Sequence, residues 1–476
     1  MTAVTATITS TNPATGERIA TFEPFTTGQI HAALAQVHGA QAQWRAFGPQ
    51  ERSRLLVAAA AALRSAREEL AALATAEMGK PLAESLAEVE KCAWACEHYA
   101  EQAQELLAPR PVAADADLSY VAYEPLGVVL AVMPWNYPFW QVLRFAAPAL
   151  AAGNGVLLKH ASNVSQCALA IEDLFVQAGF PWGLVRTILV ADEDVAQTTE
   201  WLLGDARIAA VTLTGSARAG AAVAAAAGRA LKKSVLELGG SDPFVVLADA
   251  DVEAAAVLAA RARFGNCGQS CIAAKRFIVE APVADAFEAA FARAVEAMPV
   301  GDPLDPRTQV GPLARADLLD ALEAQVAGSV ERGARVVIGG RRLQRPGNFY
   351  APTLLADVTR GMPVLAEETF GPVAALVRVP DADAAVAAAN DTPYGLGASI
   401  WSADAERAQR LGRRIACGMV FVNRIVASDP RLPFGGIGRS GYGRELSHEG
   451  LLEFVNTRTV AVDMAPSMPS AAALAE

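Results

Sequence analysis

The chain has 476 residues, with 40 Lys and Arg against 51 Asp and Glu and a formal net charge of −11. That length suits two to four ordinary domains or two large α/β lobes, and 53% hydrophobic against 19% charged residues supplies a sizeable core and excludes disorder. The acidic balance, without basic blocks, argues against nucleic acid or an anionic membrane surface as a partner. Six cysteines in so long a chain are no disulfide scaffold, so a reducing, cytoplasmic compartment is expected. The five scattered histidines leave no ligand cluster, and no metal is expected. The start, Met1-Thr-Ala-Val, lacks the basic flank and apolar run of a secretory signal. The charge-free stretch from Pro125 to Leu143 is broken by Pro134 and Pro138, so no membrane span is expected.

From Thr26 to about Leu107, Ala, Leu, Glu and Gln dominate, and Gly48-Pro49 and Gly79-Lys-Pro81 mark stops; this region reads as helices. From Tyr120 the pattern changes. Val128–Met133, Val156–Leu158, Val185–Val190 and Ile208–Leu213 are short apolar runs, each followed by an Ala-rich helical segment. Buried strands alternating with helices predict an α/β fold with a doubly wound parallel sheet. After Gly239-Gly240 a second series follows, with strands at Phe244–Leu247, Phe277–Val279, Val336–Ile338 and Ala374–Val377. Its helices are expected near Val252–Arg263, Val283–Ala297, Leu318–Arg332 and Ala405–Arg414. The Ala/Ser/Pro-rich end, residues 466–476, reads as a frayed tail.

Two glycine motifs need sorting. Gly436-Ile-Gly438-Arg-Ser-Gly441 has the dinucleotide spacing, but no strand precedes it, so it is read as a loop. Gly215 and Gly220 have P-loop spacing without the required Lys and Ser/Thr. Thr214-Gly-Ser216 nonetheless ends a strand and opens a helix, which suits either a phosphate or an ordinary Ser cap. Cys271 is more informative. It lies in the polar turn Gly268-Gln-Ser-Cys271 between a helix and a strand, where a thiolate is reachable, whereas most free cysteines are buried packing residues.

Further segments complete a pattern: Pro134-Trp-Asn-Tyr-Pro138, Leu236-Glu-Leu-Gly-Gly240, Glu367-Glu-Thr-Phe-Gly-Pro372 and Pro433-Phe-Gly-Gly436 with Ser440-Gly441. Together with Gly268-Gln-Ser-Cys271 they resemble, in order, the aldehyde dehydrogenase superfamily from about Asn12 to Thr459. The resemblance implies a Rossmann-type cofactor domain (1–118 and 127–239), a catalytic domain (240–440) and a small oligomerisation flap (119–126 and 455–465) of a homodimer or homotetramer. It implies Cys271 as nucleophile, Glu237 as general base and Asn136 as oxyanion donor. Trp135, Asn136, Lys159, Ser162, Gly215, Ser216, Leu238, Glu368 and Phe370 would line the cofactor groove. An acylating, CoA-dependent enzyme is the nearest rival, and Glu237 argues against it, because transfer to CoA does not need that base.

Arg144 and Ser428 match carboxylate-binding positions of the succinate-semialdehyde dehydrogenases, with Trp140 beside them, and a guanidinium plus a hydroxyl suits a carboxylate. A second arginine found in some of that group is replaced by Gly265 here, which would widen the range to glutarate semialdehyde or uncharged aldehydes. Where many NAD-using relatives carry Glu, Ser162 stands; it leaves room for a 2′-phosphate that Lys159 neutralises. NADP is therefore the expected cofactor, with NAD the alternative. Cys267, four residues before Cys271, is read either as packing or as a redox partner of the nucleophile.

Overall fold

The computed structural model describes residues 7–464; the first six residues and the tail at 466–476 lie outside the described residues. Four helices, Thr27–Arg45, Pro49–Ser65, Arg67–Met78 and Leu82–Leu106, fill the region read as helical. Thr26 and Gln29 form a reciprocal capping box at the first, and Pro49 starts the second at its first turn. The third ends at Gly79 in the left-handed conformation, φ 81°.

The apolar runs then form a six-stranded sheet. Its order is Gly441–Tyr442, Lys233–Glu237, Ile208–Thr214, Val128–Met133, Gly155–His160 and Val185–Ile188. All neighbours are parallel except the first pair, as expected of strands covered on both faces. The chain runs outward in one direction from Val128–Met133 and later returns to its other side with Ile208–Thr214. That reversal opens a crevice at the carboxyl ends of these two strands, the place where doubly wound sheets bind ligands. Trp135 and Asn136 follow one strand; Gly215 and Ser216 follow the other.

A second, seven-stranded sheet has the order Arg335–Ile338, Thr353–Ala356, Val373–Val379, Ala274–Glu280, Asp242–Val246, Gly397–Trp401 and Met419–Val422, with only the first pair antiparallel. The strands Thr353–Ala356, Gly397–Trp401 and Met419–Val422 were not foreseen, nor was the antiparallel pair Ile8–Thr11 and Arg18–Phe22. Phe244, Phe277, Phe287 and Phe291 pack with tilted rings in this sheet's core, with Phe277 and Phe291 rings 4.6 Å apart. Each such ring contributes roughly 1.5–3 kcal/mol by leaving water. Leu118–Pro125 pairs antiparallel along its whole length with Val455–Val462, and a two-residue strand, Arg110–Pro111, covers its other side. Val455–Val462 is thus an edge strand with mostly exposed side chains. No helix of the described residues is long and apolar enough to cross a membrane.

Candidate active site

Cys271 lies between helix Val252–Phe264 and strand Ala274–Glu280, half-buried in the turn expected for it. The turn is tightly specified. Asn266 and Cys267 have positive φ, 50° and 55°, and Gly268 has φ 71°. A Cβ on Gly268 would collide with the carbonyl of Gly371, so glycine is required there. Lys275, which no local motif marks, donates to the carbonyls of Ser270 at 3.0 Å and Cys271 at 2.8 Å and fixes the backbone that carries the Cys271 thiol. Burial pushes the Cys271 thiol up to about 12, opposed by the nearby charges of Arg144 and Lys275. Cys267 packs in the core of the second sheet with 1% exposure, whereas Cys271 borders the core of the first. Packing is the role that placement gives Cys267. All six cysteines are free.

Glu237 ends strand Lys233–Glu237, 2% exposed, with neither carboxylate oxygen hydrogen-bonded. Burial, then the neighbouring charge of Glu445, hold its carboxyl well above the usual range, against the pull of Arg144 and Arg444. The Gly436–Gly441 motif, read as a loop, packs against the strand of this residue. Ser440 and Gly441 lead into a short strand antiparallel to Lys233–Glu237; Ser440 donates to Gly239 O at 2.7 Å and accepts from Leu238 N at 3.0 Å. Gly435 lies so close that a Cβ there would meet Glu237 Oε1 at 2.6 Å.

Asn136 follows strand Val128–Met133. Its Nδ2 donates to Gln269 O at 2.9 Å, two residues before Cys271, and Asn266 Nδ2 donates to the Asn136 carbonyl at 2.7 Å. The amide therefore has a second N–H beside the nucleophile loop. Glu88 accepts from the backbone N–H of Phe139 at 2.9 Å and Trp140 at 2.8 Å, an anion on the amino end of helix Trp140–Ala151. Its other oxygen pairs with the buried Lys80.

The residues expected to line a cofactor groove are gathered at the sheet's carboxyl end. Lys159, 8% exposed, stands in register beside Val132, its ammonium lowered by burial. Ser162 opens the next turn, and Ser216 caps helix Ala217–Arg229, accepting from Ala219 N at 3.2 Å. Gly215 N donates to Glu237 O at 3.0 Å, and Leu238 packs on Gly220. Trp135 meets Phe370 edge to face at 5.8 Å. Glu368 accepts from Gly240 N at 3.0 Å and lies where a Cβ on Gly239 would fall. One cation, several backbone cradles, an aromatic pair and a carboxylate fit a dinucleotide; Ser162 itself brings no carboxylate to Lys159, although Asp192 lies within electrostatic reach of that lysine.

Arg144 departs from the free guanidinium the sequence implied. It is 2% exposed and ion-paired through Nε with Glu445; Nη2 donates to Gln141 at 3.0 Å, and the guanidinium stacks over Phe434 at 4.5 Å. Nη2 also lies 3.4 Å from Thr214 Oγ1, and Nη1 makes no hydrogen bond among the described residues. Trp140, 4% exposed, lies under the ammonium of Lys91, 4.5 Å from the ring centre. Lys91 Nζ donates to Ser428 Oγ at 2.6 Å. Neither Lys91 nor Glu445 was singled out from sequence.

A thiol, a buried carboxylate and an amide donor are thus gathered at the mouth of a doubly wound sheet. The chain belongs to the aldehyde dehydrogenase family, whose model matches residues 1–460. It is 51% identical over 453 residues, 95% of this chain and 99% of the relative, to a probable NADP(+) succinate-semialdehyde dehydrogenase of Synechocystis sp.. It is 46% identical to an Escherichia coli NAD(P)+ succinate semialdehyde dehydrogenase, over 95% of this chain and 97% of that one. The Streptococcus pyogenes succinic semialdehyde dehydrogenase solved with NADP+ superposes with TM-score 0.92 at 37% identity, covering 96% of this chain and all of that one.

Proposed function

We propose that this enzyme oxidises succinate semialdehyde, or a similar short carboxylated aldehyde, to the acid with NADP+. The observation that carries this reading is the 51% identity to a probable NADP(+) succinate-semialdehyde dehydrogenase over 95% of the chain, with Arg144 close enough to Cys271 for its charge to act on the thiol. In the proposed sequence the Cys271 sulfur adds to the aldehyde carbon, while Asn136 and the Cys271 N–H hold the new oxyanion. Bound in the groove, the cofactor supplies the hydride acceptor. The thioester left on Cys271 is hydrolysed by water that gives its proton to Glu237, and this base favours hydrolysis over transfer to CoA.

The division into a cofactor domain (1–118 and 127–239), a catalytic domain (240–440) and a flap (119–126 and 455–465) is part of the same proposal. So is a homodimer or homotetramer joined through the open edge of Val455–Val462. Six free cysteines support a cytoplasmic location.

A panel of aldehydes with and without a terminal carboxylate, assayed with NADP+ and NAD+, tests the reading. The expected result is a clear kcat/KM preference for succinate semialdehyde over butanal; no preference would overturn it. Ser162→Glu places a carboxylate against the 2′-phosphate site, and the NADP/NAD ratio of kcat/KM is expected to fall at least ~10-fold, the loss of about one charge-assisted contact. An unchanged ratio would remove Ser162 from cofactor selection.

A further inference from the structure

We propose that Lys91 is a cation of the substrate-carboxylate clamp, acting with Ser428 and Arg144, and so sets the preference for carboxylated aldehydes. This rests on the reading above and adds a residue to it. The argument is one of charge balance. Three buried cations close to the site have their anions, Lys80 with Glu88, Lys275 with Glu368 and Arg144 with Glu445, while Arg263 is satisfied by the carbonyls of Ala274, Thr369 and Gly371. Lys91 has none within 4 Å among the described residues, although it is half-buried beside Trp140 and feels the like charge of Arg144.

The nearest carboxylates are already engaged. Glu88 is held by Lys80 and two backbone N–H groups, and Asp429 is clasped by Arg431 at 2.7 Å. Desolvation and Arg144 bring the Lys91 ammonium down to about 8, the condition of a cation awaiting a counter-ion. Lys159 is the other such lysine, and it faces the groove where a cofactor phosphate is expected. Ser428 completes the geometry. Its oxygen accepts from Lys91, which leaves its hydroxyl hydrogen for an incoming carboxylate, while Lys91 keeps further N–H donors. Arg144 can add only Nη1. An uncharged aldehyde gains nothing from any of these groups.

The test compares wild type, Lys91→Met, Lys91→Gln and Lys91→Arg on succinate semialdehyde and butanal. Both neutral variants should raise the KM for succinate semialdehyde by roughly 10- to 150-fold, the cost of a lost charge-assisted hydrogen bond, with kcat nearly unchanged. Butanal kinetics should not move, and Lys91→Arg should restore most of the affinity. If both neutral variants lose activity equally on the two aldehydes, or lose none, Lys91 is not in the clamp although the substrate reading stands. If wild type itself shows no preference for the carboxylated aldehyde, the substrate reading fails and the clamp with it.

Discussion

Cys271→Ala abolishes aldehyde oxidation and leaves cofactor binding nearly intact: that is the expected result. The turn carrying Cys271 is held by Lys275, Asn266 and Gly268 through backbone contacts, none of which uses the thiol. Removing the sulfur therefore deletes chemistry without unlocking the loop. The expected loss is on the order of 10⁴- to 10⁶-fold in kcat, the scale on which covalent catalysts lose rate with their nucleophile. NADP+ titration followed by protein fluorescence should give nearly the wild-type Kd. Retention of more than a few per cent of the rate would place the nucleophile elsewhere.

Glu237→Gln carries the second large effect. The carboxyl is isolated from hydrogen-bond donors and raised by burial and by Glu445, so it holds its proton until the pH rises through its shifted pKa. Only the deprotonated form accepts a proton from water, so deacylation should accelerate with rising pH along a titration curve. Glutamine cannot titrate. Its variant should show a steady-state rate lower by about 10²- to 10⁴-fold, a preserved first-turnover burst of NADPH, and no inflection in the pH profile. A variant without a burst would put Glu237 in acylation instead.

The legibility of this molecule divides along a physical line. Strands buried on both faces, such as Val128–Met133 and Gly155–His160 with its apolar Val156–Leu158, carry apolar runs and could be read directly. Gly397–Trp401 could not, because Gly, Ala and Ser occupy three of its five positions and its burial comes from neighbouring strands. Ile8–Thr11 reads as polar, yet its Ser10 is buried because Glu77 accepts its hydroxyl at 2.8 Å. At the site, Cys271, Glu237 and Asn136 stand out because they lie in local motifs with the residue types that the proposed chemistry needs. Lys91 and Glu445 carry no local signature. Lys91 is one more charged helix residue until the fold brings it to Ser428, 337 positions away. Arg144 stands out in the sequence, but its ion pair with Glu445 is a tertiary fact that no spacing announces.

Acyl-enzyme trapping tests the central claim most directly. Glu237→Gln protein is mixed with succinate semialdehyde and NADP+, quenched in acid, and mapped by peptide mass spectrometry. The account predicts a succinyl thioester on the peptide that contains Cys271, removable by hydroxylamine and absent from the Cys271→Ala, Glu237→Gln double variant. An unmodified Cys271 peptide after a full NADPH burst, or an adduct on any other residue, would contradict it.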